Sequence, residues 1–168
     1  MNRRPPQSQN PPPLLVVDTS VWVAAFFQKR AHNIYSLWRD GDIRLACCQP
    51  VLQEYRTVLR KIPPIRKQAN RFLQELKQSP NVVWIERLPA FTIDIEDPTD
   101  RKFLQCAYGA NAQVLLSLDS HLLEAGEVPG VTVMRPGPFL DQLHQPPPPQ
   151  PRWWRRFWPR IFRNKYNA

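Results

Sequence analysis

The apolar positions of this chain follow two patterns that take turns. Short, mostly apolar runs at 14–17 (LLVV), 43–47 (IRLAC), 82–85 (VVWI), 114–118 (VLLSL) and 131–134 (VTVM) carry many β-branched side chains. Runs of that length and make-up predict buried strands. Between them the apolar residues recur at helical spacing. One helix is predicted from about Ser20, loosening near 28–30 and resuming through Ile34, Leu37 and Trp38. A second follows Pro50, with Val51, Leu52, Tyr55, Val58, Leu59 and Ile62 on one stripe, and ends at Pro63-Pro64. A third covers 65–77 through Ala69, Phe72, Leu73 and Leu76; a fourth starts near Pro98 and carries Phe103, Leu104 and Ala107. Short helices are expected at 120–125 and 137–144. Strands alternating with helices predict an α/β fold, a three-layer α/β/α arrangement around a mostly parallel five-stranded sheet.

Composition changes this picture only at the ends. Eleven of the 20 prolines lie before Leu14 or after Gln145. Residues 1–13 hold two arginines and no acid, and from Arg152 onward there are six basic residues and no acid. The chain is therefore divided into a disordered Pro/Arg arm (1–13), one folded domain (14–144), and a Pro-rich linker with a basic Trp/Arg tail (145–168). The net charge of +9 belongs mainly to the ends and points to a polyanionic partner. Three cysteines, two of them adjacent, give no disulfide framework and suggest a reducing compartment. With neither a secretory signal nor a membrane-spanning apolar run, the expected location is cytoplasmic.

Four acids stand out by position. Asp18 ends the first strand, Glu54 lies on the second helix, Asp100 opens the fourth, and Asp119 follows the fourth strand, with Asp97 close by. Each has a plain alternative. Asp18 and Asp119 can cap helices, Asp97-Pro98-Thr99-Asp100 reads as a capping box, and Glu54 can be a solvated helical charge. Helical geometry favours convergence. Asp100 falls on the apolar stripe of its helix and Glu54 at the margin of its own. Carboxylates turned toward a core need partners or a cation. Oxygen donors with no histidine cluster favour Mg²⁺ or Mn²⁺. Other chemistries fit less well. A phosphoaspartate phosphatase needs a second Asp where Ser20 stands; five glycines form no phosphate loop; His32, His121 and His144 are scattered; Cys47-Cys48 lacks metal-ligand spacing.

VVDTSVWVAAF, CQPVLQEYRTVL, DPTDRKFLQCAYGANAQVLLSLDSHLL and VTVMRPGPFL, in that order over about 14–143, resemble the PIN-domain proteins, most closely the branch of toxins from toxin–antitoxin pairs. The resemblance implies a metal-dependent endoribonuclease acting on RNA through Mg²⁺ or Mn²⁺. It carries a catalytic and metal-holding quartet onto Asp18, Glu54, Asp100 and Asp119, with Asp97 as an accessory acid. Ser20 and Ser117 match the family's supporting hydroxyl positions. His121 departs from the pattern, since that branch often has another Asp there. The resemblance also implies a cognate antitoxin, and a homodimer as a family-level expectation. The alternative is a PIN fold used to bind RNA or a partner with little catalysis, docked through its tail.

The tail itself interleaves Arg152, Arg155 and Arg156 with Trp153, Trp154 and Trp158. The plain reading is a solvated, disordered end, and three others stay open: phosphate contact with stacking on single-stranded bases, attachment to an anionic membrane surface, and binding to a partner protein.

Overall fold

The strand that begins the folded part also lies at its centre. In the computed structural model, which describes residues 11–27, 32–90 and 95–144, β1 (Leu14–Val17) pairs in parallel with β2 (Arg44–Cys48) on one side and β4 (Val114–Leu116) on the other. β3 (Val82–Ile85) and β5 (Thr132–Met134) form the edges, so the order is β3-β2-β1-β4-β5 with every pairing parallel. All four β1 side chains are buried, which is why LLVV shows no polar alternation. The edge strands are only partly covered.

Strand order decides where chemistry can sit. From β1 the chain moves outward to β2 and β3, then returns to build β4 and β5 on the other side. The direction therefore reverses between β1 and β4. Their register pairs Val17 with Leu116, and the next residues, Asp18 and Ser117, leave the same carboxyl edge side by side. In open α/β sheets that switch point is the ligand crevice.

Seven α-helices cover the sheet among the described residues: α1 (Thr19–Phe27), α2 (His32–Asp40), α3 (Gln49–Lys61), α4 (Arg66–Gln78), α5 (Arg101–Gly109), α6 (Ser120–Leu123) and α7 (Pro136–His144). α3 shows how sequence dictates the element. Pro50 suits its first turn, Val51, Leu52, Tyr55 and Leu59 form its buried stripe, and Arg60 and Lys61 face the negative end of its dipole. Ile62 is extended and a 3₁₀ turn at Pro63–Ile65 leads into α4. α5 lies against β1, β2 and β4. The core beside α1 is aromatic. Trp22, Trp38 and Phe72 are fully buried, with Trp22 and Phe72 ring centroids 4.4 Å apart and Tyr35 and Tyr55 packed around them. The three cysteines are free and buried, and burial pushes the Cys47 thiol up to about 12.

The sequence pattern misplaces several boundaries. Helix α5 begins at Arg101, a turn later than the apolar pattern suggests, because residues 98–100 form a turn held by the Asp97 carboxylate accepting from the Thr99 N–H at 2.8 Å. Pairing of β4 stops at Leu116, where Leu118 N–H turns instead to the Ser20 hydroxyl at 3.1 Å. The first helical stretch is described as α1 and α2, on either side of residues 28–31. The expected loosening at 28–30, most of the Pro/Arg arm, residues 91–94 and the whole linker and tail lie outside the described residues. No helix among the described residues is long and apolar enough to cross a membrane.

Candidate active site

Asp18 is the first residue past β1 and is 5% exposed. Its backbone N–H still belongs to the sheet, donating to the Leu116 carbonyl at 2.8 Å. Two hydroxyls converge on one of its carboxylate oxygens. Ser117 Oγ donates to Oδ2 at 2.9 Å, and Ser20 Oγ makes a second, very short bond to the same atom. Ser117 Oγ in turn accepts from the Asp119 N–H at 2.9 Å. The two serines thus tie the ends of β1 and β4 into one network. Burial pushes the Asp18 carboxyl up, the two hydroxyls oppose that, and the charge of Glu54 adds to the rise.

Glu54 arrives from α3. The neighbouring Tyr55 anchors the helix, its buried hydroxyl donating to the Val17 carbonyl at the end of β1. Glu54 Oε1 accepts from Thr19 Oγ1 at 2.5 Å, and Oε2 pairs with Lys102 Nζ at 2.5 Å. Thr19 and Ser20, the first two residues of α1, therefore have their hydroxyls committed to acids.

Asp100 precedes α5 and makes no side-chain capping bond. Its carboxyl is pushed up to about 6, first by burial and then by the negative charges of Asp18, Asp97 and Asp119, against the opposing charge of Lys102. Asp119 caps α6, its Oδ1 accepting from the His121 N–H at 2.8 Å. Asp97 is exposed to the turn it holds, and that backbone bond keeps its carboxyl below the usual range.

The five sequence-selected acids therefore face one sheet edge, but not uniformly. Asp18 and Asp100 form the repulsive centre. Asp119 does the helix capping that its alternative reading anticipates, Asp97 holds a turn instead of the expected capping box, and Glu54 is already compensated by Lys102. Among the described residues no three acid, histidine or cysteine side chains stand as a ready-made metal cage. The donor set is nevertheless what a hard divalent cation takes: carboxylate oxygens, mutually repelling and partly buried, with one lysine to balance them.

Lys102 is the residue the sequence reading missed. Its half-buried ammonium touches Glu54 and the Thr99 carbonyl and lies 5.0 Å from the Phe103 ring centroid. No periodicity marks it, because its partner is 48 residues away in the chain. His121 pairs with Glu96 at 2.9 Å, which raises its pKa, so it behaves as a surface ion pair beside the site. The tail residues Arg152, Trp153, Trp154, Arg155, Arg156 and Trp158 lie outside the described residues.

The family description of the PIN domain matches residues 14–121. Comparison with curated proteins gives no significant match. Among solved structures, a chain from the VapBC2 complex of Rickettsia felis, determined bound to a DNA fragment from its promoter, is 15% identical, with 73% of this chain and 98% of that chain covered and a TM-score of 0.47. The PIN domain of T. brucei RRP44 is 13% identical, with 78% and 80% covered and a TM-score of 0.44. The matched span takes in the central strand, the helix that bears Glu54, and the serine-bridged edge as far as His121, and on that match the chain belongs to the PIN-domain family.

Proposed function

We propose that this chain is a metal-dependent endoribonuclease, acting as the toxin of a toxin–antitoxin pair. PIN domains are generally nucleases. The observation that carries the reading is Asp100. Its carboxyl is raised first by burial and then by the charges of Asp18, Asp97 and Asp119, which come from three separate stretches of sequence. A fold that gathers like charges at its ligand crevice is stabilised by a cation there.

Asp18, Asp100 and Asp119 would hold Mg²⁺ or Mn²⁺ directly or through water, with Glu54 beside them and Asp97 at the rim. The ion lowers the pKa of bound water and offsets charge on the phosphate. Ser20 and Ser117 keep Asp18 in one orientation through their shared bond to Oδ2. Lys102 holds Glu54 and limits the repulsion on Asp100. RNA is the substrate, and a cognate antitoxin would silence the protein by covering the acidic edge with a basic side chain.

The test is cleavage of a panel of RNAs by the wild type, Asp18→Asn and Asp100→Asn with Mg²⁺ or Mn²⁺ and with a chelator. We expect cleavage only by the wild type with metal, and a loss of at least about a hundredfold in either variant. Equal inertness of all three proteins would favour the non-catalytic, RNA-binding use of the fold.

A further inference from the structure

α3 and α4 enclose a groove of about 700 Å³ on the surface. Its walls carry Arg56 and Arg60 from α3 and Arg66 and Lys77 from α4. Among the described residues, none of these four cations is paired with a carboxylate. Each helix has a single acid, and both acids are engaged elsewhere. Glu54 is held by Thr19 and Lys102, and Glu75 by Tyr35, Arg39 and Arg71.

The basic side chains are also partly fixed in place. Arg60 Nε donates to Asn70 Oδ1 at 3.0 Å across the groove, and Arg66 Nε donates to the Arg60 carbonyl at 2.9 Å. Those bonds use one N–H of each guanidinium and leave its other donors available. Arg56 and Arg60 are one turn apart, about 6 Å along the helix. The remaining lining is polar, apart from buried Leu73.

We propose that this groove binds the phosphate backbone of single-stranded RNA, as an anchor separate from the acidic crevice. Uncompensated cations around a concave surface concentrate polyanions. A protein partner would need apolar anchors at the centre of the interface, and Leu73 alone does not supply them. Arg56 lies two residues, or 200°, around α3 from Glu54. One helix thus presents an acid to the crevice and a cationic row to the groove. The proposal rests on the nuclease reading only for its choice of RNA.

The test uses the full chain with a chelator present, so that binding is read without cleavage. Fluorescence anisotropy with an unstructured oligouridylate is followed across a salt series. The quadruple variant R56A/R60A/R66A/K77A should bind roughly tenfold more weakly at low salt and flatten the plot of log affinity against log salt by about 3. A charge-matched control, K61A/K67A/R87A/R135A, removes four exposed cations outside the groove and should change both quantities much less. Lys77→Glu alone, at an exposed position on α4, should weaken binding several-fold and separates the effect from any folding defect of the quadruple variant. The proposal is overturned if control and groove variants weaken binding equally, or if neither does. It is also overturned if poly-glutamate binds as tightly with the same dependence on the four cations, which would assign the groove to an acidic protein. A protein that binds RNA through the groove but never cleaves it would sink the nuclease reading and leave this one standing.

Discussion

Asp100 is the residue at which fold and proposed chemistry pull against each other. Its folded pKa of about 6 lies above the ordinary 3.8, so the folded state takes up a proton more readily than the unfolded one. Between about pH 4 and pH 6 the native protein therefore binds more protons, and stability falls as pH rises through that window. Asp18 is raised for the same reason, burial, and adds in the same direction. In the metal-free protein at neutral pH, Asp100→Asn should raise stability by about 1 kcal/mol, a figure already reduced because the carboxyl is partly solvated. Urea denaturation at pH 4, 6 and 8 in chelator would show wild type and variant converging at the acid end. Adding Mg²⁺ should stabilise the wild type more than the variant, by mass action on the folded state. A variant no more stable than wild type at neutral pH would mean that burial and neighbouring charge do not penalise the Asp100 carboxylate. Not all of this was legible beforehand. Asp100 was marked by its position on an apolar stripe, Asp18 by ending a strand. The Thr19–Glu54 and Lys102–Glu54 contacts have no local signature, since each joins residues 35 and 48 apart.

Among the elements, α3 controls the site most directly, and Tyr55 is its fastening. The hydroxyl donates to Val17, the last residue of β1, while the ring packs against Trp22, Phe72 and Phe103. Burial holds the phenol well above its ordinary 10.0, so the donor stays protonated. Tyr55→Phe keeps the packing and removes only the donor, leaving a buried carbonyl with one partner fewer. That should cost about 1–3 kcal/mol, read as a lower denaturant midpoint with an unchanged m-value. The same variant should reduce RNA cleavage beyond its effect on stability, because Glu54 adjoins the lost anchor. Unchanged cleavage would mean that the Thr19 and Lys102 contacts position Glu54 without it. At this scale the sequence was readable wherever periodicity was strong: the α4 stripe falls on the expected residues, and in α3 Val51, Leu52, Tyr55 and Leu59 are buried while Val58 is half-buried and Ile62 lies beyond the helix end. It misled at 97–100, where a capping-box pattern suggests a helix start and the chain instead makes a turn before α5. A pattern of residue types does not distinguish a capped helix from a capped turn that precedes one.

At the scale of the whole molecule, charge and core are divided between different parts of the chain. Every described core side chain lies between Leu14 and Leu143. α7 closes that core with Phe139, and Leu140 and Leu143 pack against it. The net charge of +9, by contrast, comes largely from the ends, with six basic residues after Gln145. A chain ending at His144 should therefore keep its melting temperature but lose salt-sensitive affinity for RNA, the log–log slope flattening by up to about 4. Combined with the groove substitutions, the two losses should add, because they remove contacts to different phosphates. Sub-additive losses would mean that tail and groove compete for one stretch of strand. A slope unchanged by truncation, with affinity for anionic vesicles lost instead, would assign the Arg/Trp tail to a lipid surface and leave the groove as the strand's main electrostatic hold. A fall in melting temperature would show that the tail packs on the domain, and the charge would then be part of the fold rather than an appendage to it.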